Sequence, residues 1–427
     1  MKKGSVFALA ACIVMAGCVA LSGEKELRFS WWGGSERHEA TLAALKMFEE
    51  KNPGLAVKAE YMGWTGYLER LTTQIGAGSE PDIIQMDWAW LATFSKNGDG
   101  FYDLLQIKDS INLDAYDKKW IDICMVNGKL NALPVSFTTR YFFWNKTMWE
   151  KAGLPLPATW QEIVDAGPVF RDKLGDAYYP LDMPRHVITH FLASYIFQKT
   201  GSMLIHPEKN ELGLTLDQLE QMFAFYKELL DNHALTTLAV RSSSSGNPEG
   251  LSHEQPDFIS GLWAGGYQWD SSIALTLSTQ PKEFVWELGT WPGMPDSKNS
   301  GRIGRPAQIL AVKKNTQYPV EAAECLNYLL TTPEAARVLK VTRGVLISNP
   351  SREELEKQDL IIPINIEAMK QLENVDVYSP SPYFEDPRML LMFAELIENI
   401  SYGKITPREA AESMHNDVTR LLRRLTR

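Results

Sequence analysis

Cysteine is nearly absent from this chain. Only four of 427 residues are Cys. Cys12 and Cys18 fall in an apolar leader, and Cys124 and Cys325 stand far apart in no metal-ligand spacing, so a small stapled domain is excluded. A chain of this length buries its cores without crosslinks, so two free buried thiols are expected, one disulfide being the alternative. Excess positive charge is also missing. Lys+Arg 43 against Asp+Glu 53 gives a net charge of −10, and no basic run interleaved with aromatics offers a track for a phosphate polyanion, so nucleic acid is not an expected partner. Catalytic and cofactor signatures are lacking too. Gly76-Ala77-Gly78 is followed by Pro81 where a dinucleotide fingerprint needs Gly, no Walker A or G-x-S-x-G sequence occurs, His38-Glu39 meets Leu42 where a zincin helix needs its second His, and His186 and His190 have no adjacent Glu. No cofactor and no metal ion is expected. Paired carboxylates of the glycosidase kind stay open, because acidic pairs are selected by geometry alone.

The chain opens on Lys2 and Lys3, followed by an apolar run from Val6 to Leu21 that falls short of the roughly 20 residues a bilayer-spanning helix needs. Residues 1–23 read as a signal peptide. Within it Met15-Ala16-Gly17-Cys18 has the small residues of a lipobox, which makes Cys18 a lipidation site and the membrane a partner only through that anchor; cleavage near Ser22 or Gly23 is the alternative.

From Glu24 short apolar runs alternate with amphipathic stretches, as in an α/β protein of two large lobes. Strands are predicted at Leu27 to Trp32, Leu55 to Tyr61 and Asp82 to Met86, with helices from Glu36 to Lys51 and Tyr67 to Ile75 between them, a βαβαβ unit that folds into a parallel sheet. Thr159-x-x-Glu162, Thr215-x-x-Gln218 and Thr406-Pro407-x-Glu409 are helix starts. Ser242 to Gly250, of low complexity, reads as a mobile surface loop near a ligand cleft. No internal repeat is found.

Tryptophan is plentiful, 13 residues, and its placement is informative. Trp31, Trp32, Trp64, Trp88 and Trp90 fall at or just after the C-terminal ends of the first three predicted strands, where ligands bind in open α/β sheets. Trp263, Tyr267 and Trp269 lie among glycines, and Tyr383 follows a Ser-Pro-Ser-Pro turn. A pyranose has an apolar C–H face and a hydroxyl rim, so aromatic planes edged by polar side chains suit a carbohydrate. Trp120, Trp144, Trp149, Trp160 and Trp286 read instead as core.

Trp31-Trp32-Gly33-Gly34, Tyr61-Met62-Gly63-Trp64, Gly78-Ser79-Glu80-Pro81-Asp82-Ile83-Ile84 and Phe94-Ser95-Lys96-Asn97-Gly98 resemble the family 1 extracellular solute-binding proteins of ABC sugar importers, and the likeness covers the mature chain. Ser30 to Gly34, Asp99 to Leu104 and Ser379 to Asp386 are most similar to the oligogalacturonide-binding members. The resemblance implies a two-lobed periplasmic-binding-protein fold of type II with the ligand cleft between lobes: residues 24–137 plus 298–345 in the N-terminal lobe, 138–297 plus 346–427 in the C-terminal lobe. It implies a monomer in the periplasm or on the outer face of the envelope, with an oligosaccharide and ABC permease subunits as partners. It also points to Asp87-Trp88-Ala89-Trp90, to Tyr267 and Trp269, and to Tyr383 as sugar contacts.

A uronate needs a cation at its carboxylate, and a planar guanidinium holds one bidentately. Arg37, Arg140, Arg302 and Arg305 are candidates; solvated charges or interlobe ion pairs are the alternative roles. The ligand-contact set is therefore Trp31, Trp32, Gly33, Arg37, Trp64, Asp87, Trp88, Trp90, Arg140, Tyr267, Trp269, Arg305 and Tyr383. Competing readings are a carbohydrate-active enzyme on pectic sugars, a binder of neutral oligosaccharides, and a chemoreceptor-coupled sensor.

Overall fold

The structure is a computed structural model that describes residues 25–372 and 375–426. The expected signal peptide and Cys18 lie outside the described residues. Strand β1 (Lys25–Trp32) pairs in parallel with β2 (Leu55–Met62) and β3 (Ile83–Met86). The helices α1 (Ser35–Lys51) and α2 (Tyr67–Gly76) make the crossovers. β4 (Met125–Val126) and β5 (Lys129–Leu130) form a small separate hairpin.

The long strand β6 (Leu133–Asn145) joins the two halves of the molecule. Its first part, Leu133 to Thr139, pairs antiparallel with β9 (Gly304–Val312). From Arg140 onward it pairs with β7 (Gly265–Trp269) and, near its end, with β8 (Trp286–Leu288). One seven-stranded sheet results, ordered β2-β1-β3-β9-β6-β7 with β8 on β6. The exchange of partners lies between Thr139 and Arg140; farther along β6, β7 approaches Phe143 and Trp144 closely because it starts on Gly265 and Gly266. A Cβ at either would lie 2.2 Å from Trp144 or 2.4 Å from Phe143.

Two large cores flank this exchange. The first gathers β1, β3 and α1 with the helices Pro319–Thr331 and Pro333–Leu339; the second gathers the helices 160–174, 185–200, 216–231, 387–401 and 407–425 around the start of β7. Leu346, Ile347, Leu355 and Ile361 belong to the first core. The boundary expected after Val345 is therefore corrected: the chain stays with the first half through Ile361, because the helix Asn349–Lys357 packs on Pro333–Leu339.

The capping boxes at Thr159, Thr215 and Thr406 are present. The mobile loop expected from Ser242 is not. Residues 238–245 form a helix capped by the Thr237 side chain, and the segment after this helix is tied down by Arg241, whose guanidinium donates to the carbonyls of Pro248 and Gly250. Cys124 and Cys325 are buried free thiols. No helix among the described residues is long and apolar enough to cross a membrane.

Candidate functional site

The C-terminal ends of β1, β2 and β3 carry an aromatic wall. Trp32 ends β1, Trp64 follows β2, and Trp90 follows β3. Trp64 and Trp90 stack with centroids 5.6 Å apart, and Trp32 meets Trp64 edge-on at 5.1 Å. Trp32 is buried, Trp90 half-buried, and Trp64, 56% exposed, presents its face to solvent. An exposed indole supported by two others is a ready platform for a sugar face.

Trp31 is turned the other way, as alternation along a strand requires. It is fully buried, stacks on Tyr61 at 5.1 Å and donates its indole N–H to His38 Nδ1 at 3.1 Å. Trp88 is also core, its indole N–H donating to the Ile123 carbonyl at 3.0 Å. Tyr267 and Tyr383 pack in the second core. Trp31, Trp88 and Tyr383 thus support the wall and the sheet, while Tyr267 also lines the small cavity that holds Arg140, Trp269 and Glu385.

Between the halves lies a buried charge cluster. Arg305, near the start of β9, holds Glu385 bidentately, Nε to Oε1 at 2.6 Å and Nη2 to Oε2 at 2.5 Å, and reaches Asp87 Oδ2 at 3.3 Å. Asp87 comes from the first half, where its other oxygen caps the turn of Trp88–Trp90 by accepting from the Ala89 N–H at 2.9 Å. Glu385 comes from the second. Burial opposes the Arg305 charge, yet the two acids raise its pKa. Burial likewise works against the Glu385 anion, but Arg305 and His190 hold its carboxyl well below the usual range. At Asp87 burial and the Glu385 charge outweigh Arg305, and the carboxyl is pushed up. Arg305 is thus a neutralised bridge.

Arg140 has no acid in direct contact; the Glu385 charge acts on it from across the same cavity, offset by that of Arg305. The Arg140 guanidinium lies 4.1 Å from the Trp269 ring centroid and 5.7 Å from that of Tyr267, is 4% exposed, and makes no side-chain hydrogen bond or ion pair among the described residues; Nε is buried without a partner. Burial lowers its pKa to about 10. His190 stands edge-on to Trp269 at 5.7 Å, and burial, helped by Arg140, lowers its pKa to about 4, so it is neutral at pH 7. Arg302 lies 5.0 Å from the Trp291 ring and donates to Gln371 at 3.2 Å, with Nη1 unpartnered.

Arg37 is placed on the first half, where Gly33 makes room for it: a Cβ on Gly33 would lie 2.6 Å from Arg37 Cδ. An interlobe groove of about 370 Å³ is lined by Trp120, Phe137, Tyr141, Asp270 and Leu346 among others. Arg140, Trp269, Asp87 and Arg305, each a separate candidate from the sequence, are brought together in two groups, whereas Glu385, Gln85 and Arg343 were not among the candidates. Gln85 and Arg343 belong to no local motif, and the only signal for Glu385 was its place in the segment Ser379 to Asp386.

The model of the bacterial extracellular solute-binding proteins matches residues 34–336, and the chain belongs to this family. Among solved structures, a periplasmic oligogalacturonide-binding protein from Yersinia enterocolitica in complex with saturated digalacturonic acid is 37% identical, with a TM-score of 0.85 over 95% of this chain and 100% of that one. A periplasmic solute-binding protein from Pectobacterium atrosepticum is 38% identical, TM-score 0.87, over 94% and 100%. A putative binding protein of Brucella abortus is 27% identical over 204 residues, 46% of this chain and 47% of that protein, so the match spans about half the length of that curated relative. The architecture is accordingly the two-lobed α/β fold of solute-binding proteins, with β6 as a strand shared between the halves.

Proposed function

We propose that the protein is the extracytoplasmic binding component of an ABC importer, that it captures a uronate-containing oligosaccharide such as an oligogalacturonide between its lobes, and that it hands the sugar to membrane permease subunits unchanged. The observation that carries this reading is Arg140. A buried guanidinium with no acid in contact, the Glu385 charge being offset by Arg305, costs several kcal/mol of desolvation, and a protein keeps such a group where a ligand supplies the missing contact. Trp269 backs the guanidinium at 4.1 Å, so the cation is held in place for the carboxylate of a uronate, and the apolar face of the sugar is left to the wall at Trp64. The solved relative from Yersinia, which holds digalacturonic acid, supports the same ligand class.

The wall at Trp32, Trp64 and Trp90 belongs to one lobe and Arg140 with Trp269 to the portion of β6 and β7 beyond the exchange. A sugar touching both gains contacts only when the lobes approach, and that difference drives closure. Binding without chemistry by a monomer is the proposal; a lyase or glycosidase is the competing one. Isothermal titration with digalacturonate and with a neutral disaccharide of the same size tests it. Tight binding of the first and weak binding of the second is expected. The reverse order would remove the uronate assignment, and new reducing ends or unsaturated product from polygalacturonate would replace binding by catalysis.

A further inference from the structure

A second group of uncompensated cations stands on the first lobe, at the start of α1. The N-cap is Gly34, which offers no side-chain acceptor, so the first-turn amides of this 17-residue helix are uncapped. Arg37 lies in that turn. It donates from Nε to the Thr342 carbonyl at 2.8 Å and from Nη1 to the Trp32 carbonyl at 3.0 Å, both neutral acceptors. Arg343, 5% exposed, arrives from the loop after the helix Pro333–Leu339, donates from Nε to Gln85 Oε1 at 3.0 Å, and leaves Nη2 without a partner. The Gln85 amide donates in turn to the Trp32 carbonyl at 3.2 Å, which ties the pair to the aromatic wall. The ion pairs of the described residues include neither arginine. Burial lowers Arg37 to about 10 and, with the charge of Arg37 added, Arg343 to about 9. Two like charges are thus held together, partly out of water, beside the positive end of a helix, and none of the described carboxylates answers them. Such an arrangement is costly unless an anion completes it.

Resting on the uronate reading above, we infer that Arg37, Arg343 and the first-turn amides of α1 form a second carboxylate subsite, so that the ligand carries at least two uronate units, one held at Arg140 and another here. Between β1, which leads into α1, and β6, which carries Arg140, lie β3 and β9. Three inter-strand steps of about 4.8 Å separate the two backbones by about 14 Å, a distance that an oligomer spans and a single uronate does not. A single uronate engages one lobe at a time; an oligomer engages both.

The test is titration of the full chain with mono-, di- and trigalacturonate, and with oligomers in which one carboxylate has been reduced to the alcohol, against the wild type, Arg343→Met and Arg37→Gln, each first shown to be folded by circular dichroism. In the wild type an oligomer should bind at least 100-fold more tightly than the monomer. Removing one of its carboxylates should cost 10- to 100-fold on the wild type and under 3-fold on Arg343→Met, a coupling that a merely structural arginine would not produce. Equal losses on both proteins, or an unchanged affinity for the oligomers in both variants, would overturn the second subsite while leaving Arg140 and the uronate reading standing. Failure of the wild type to bind any galacturonate would remove that reading itself.

Discussion

Arg241 and Arg140 are both buried guanidinium groups associated with the second lobe, and the fold treats them in opposite ways. Arg241 is fully buried and so is its partner Asp182, which also accepts from Thr236 Oγ1 at 2.7 Å and from Ser252 Oγ at 2.9 Å. The remaining Arg241 donors meet the carbonyls of Pro248 and Gly250. Every charge there has an answer within the chain, and the group stitches a Ser-rich segment to the core. Arg140 is as deeply placed, yet it touches ring faces and no acid, Glu385 acting on it only at a distance and against Arg305. The contrast separates an arginine that holds structure from one that waits for a ligand, and burial alone does not tell them apart; the partner does.

The largest expected effect breaks the paired member. Asp182→Asn leaves the Arg241 charge buried and unanswered, and should lower the unfolding free energy by about 3–5 kcal/mol, read from urea denaturation, with digalacturonate affinity little changed in the folded fraction. The converse substitution, Arg140→Met, should leave ligand-free stability unchanged or raised, because it removes an uncompensated charge, while weakening digalacturonate binding by about 2–4 kcal/mol, roughly 30- to 1000-fold. If both variants lost stability equally, the distinction between the two arginines would be empty.

The third prediction concerns the neutral neighbour of Arg140. The unfolded chain protonates His190 near the ordinary histidine value of 6.5, but the folded chain, through burial first and the Arg140 charge next, does so only at about 4. The folded pKa is depressed, so this contribution is complete above pH 6.5 and lost as the pH falls through the window to about 4. It amounts to about 3 kcal/mol at ~1.4 kcal/mol per pH unit. His190→Gln should flatten that part of the stability profile, measured by denaturation at a series of pH values; a parallel profile would contradict it. The smallest effect is at the exposed end of the wall: Trp64→Ala should change stability by less than about 0.5 kcal/mol yet weaken sugar binding by about 1 kcal/mol.

Features set by local residues were legible in the sequence, and those set by distant packing were not. The βαβαβ start, the three capping boxes and the Pro-led final helix are set by residues within one turn of each other, and all were readable. Trp31 and Trp32 were not separable, because at a strand end both faces are flanked by turns, and only the packing of α1 and Tyr61 decides which indole is covered. Ser242 to Ser245 were misread because serine-rich composition suggests a loop, whereas Thr237 caps the helix and Arg241 anchors it from inside. Glu385 and Arg343 lie far in sequence from the groups they face, so no spacing could reveal them.

The most direct measurement is a crystal structure of the protein with digalacturonate. A carboxylate oxygen within hydrogen-bond distance of the Arg140 guanidinium is the predicted result. A bound sugar whose carboxylates point into solvent while Arg140 still faces only rings would contradict it.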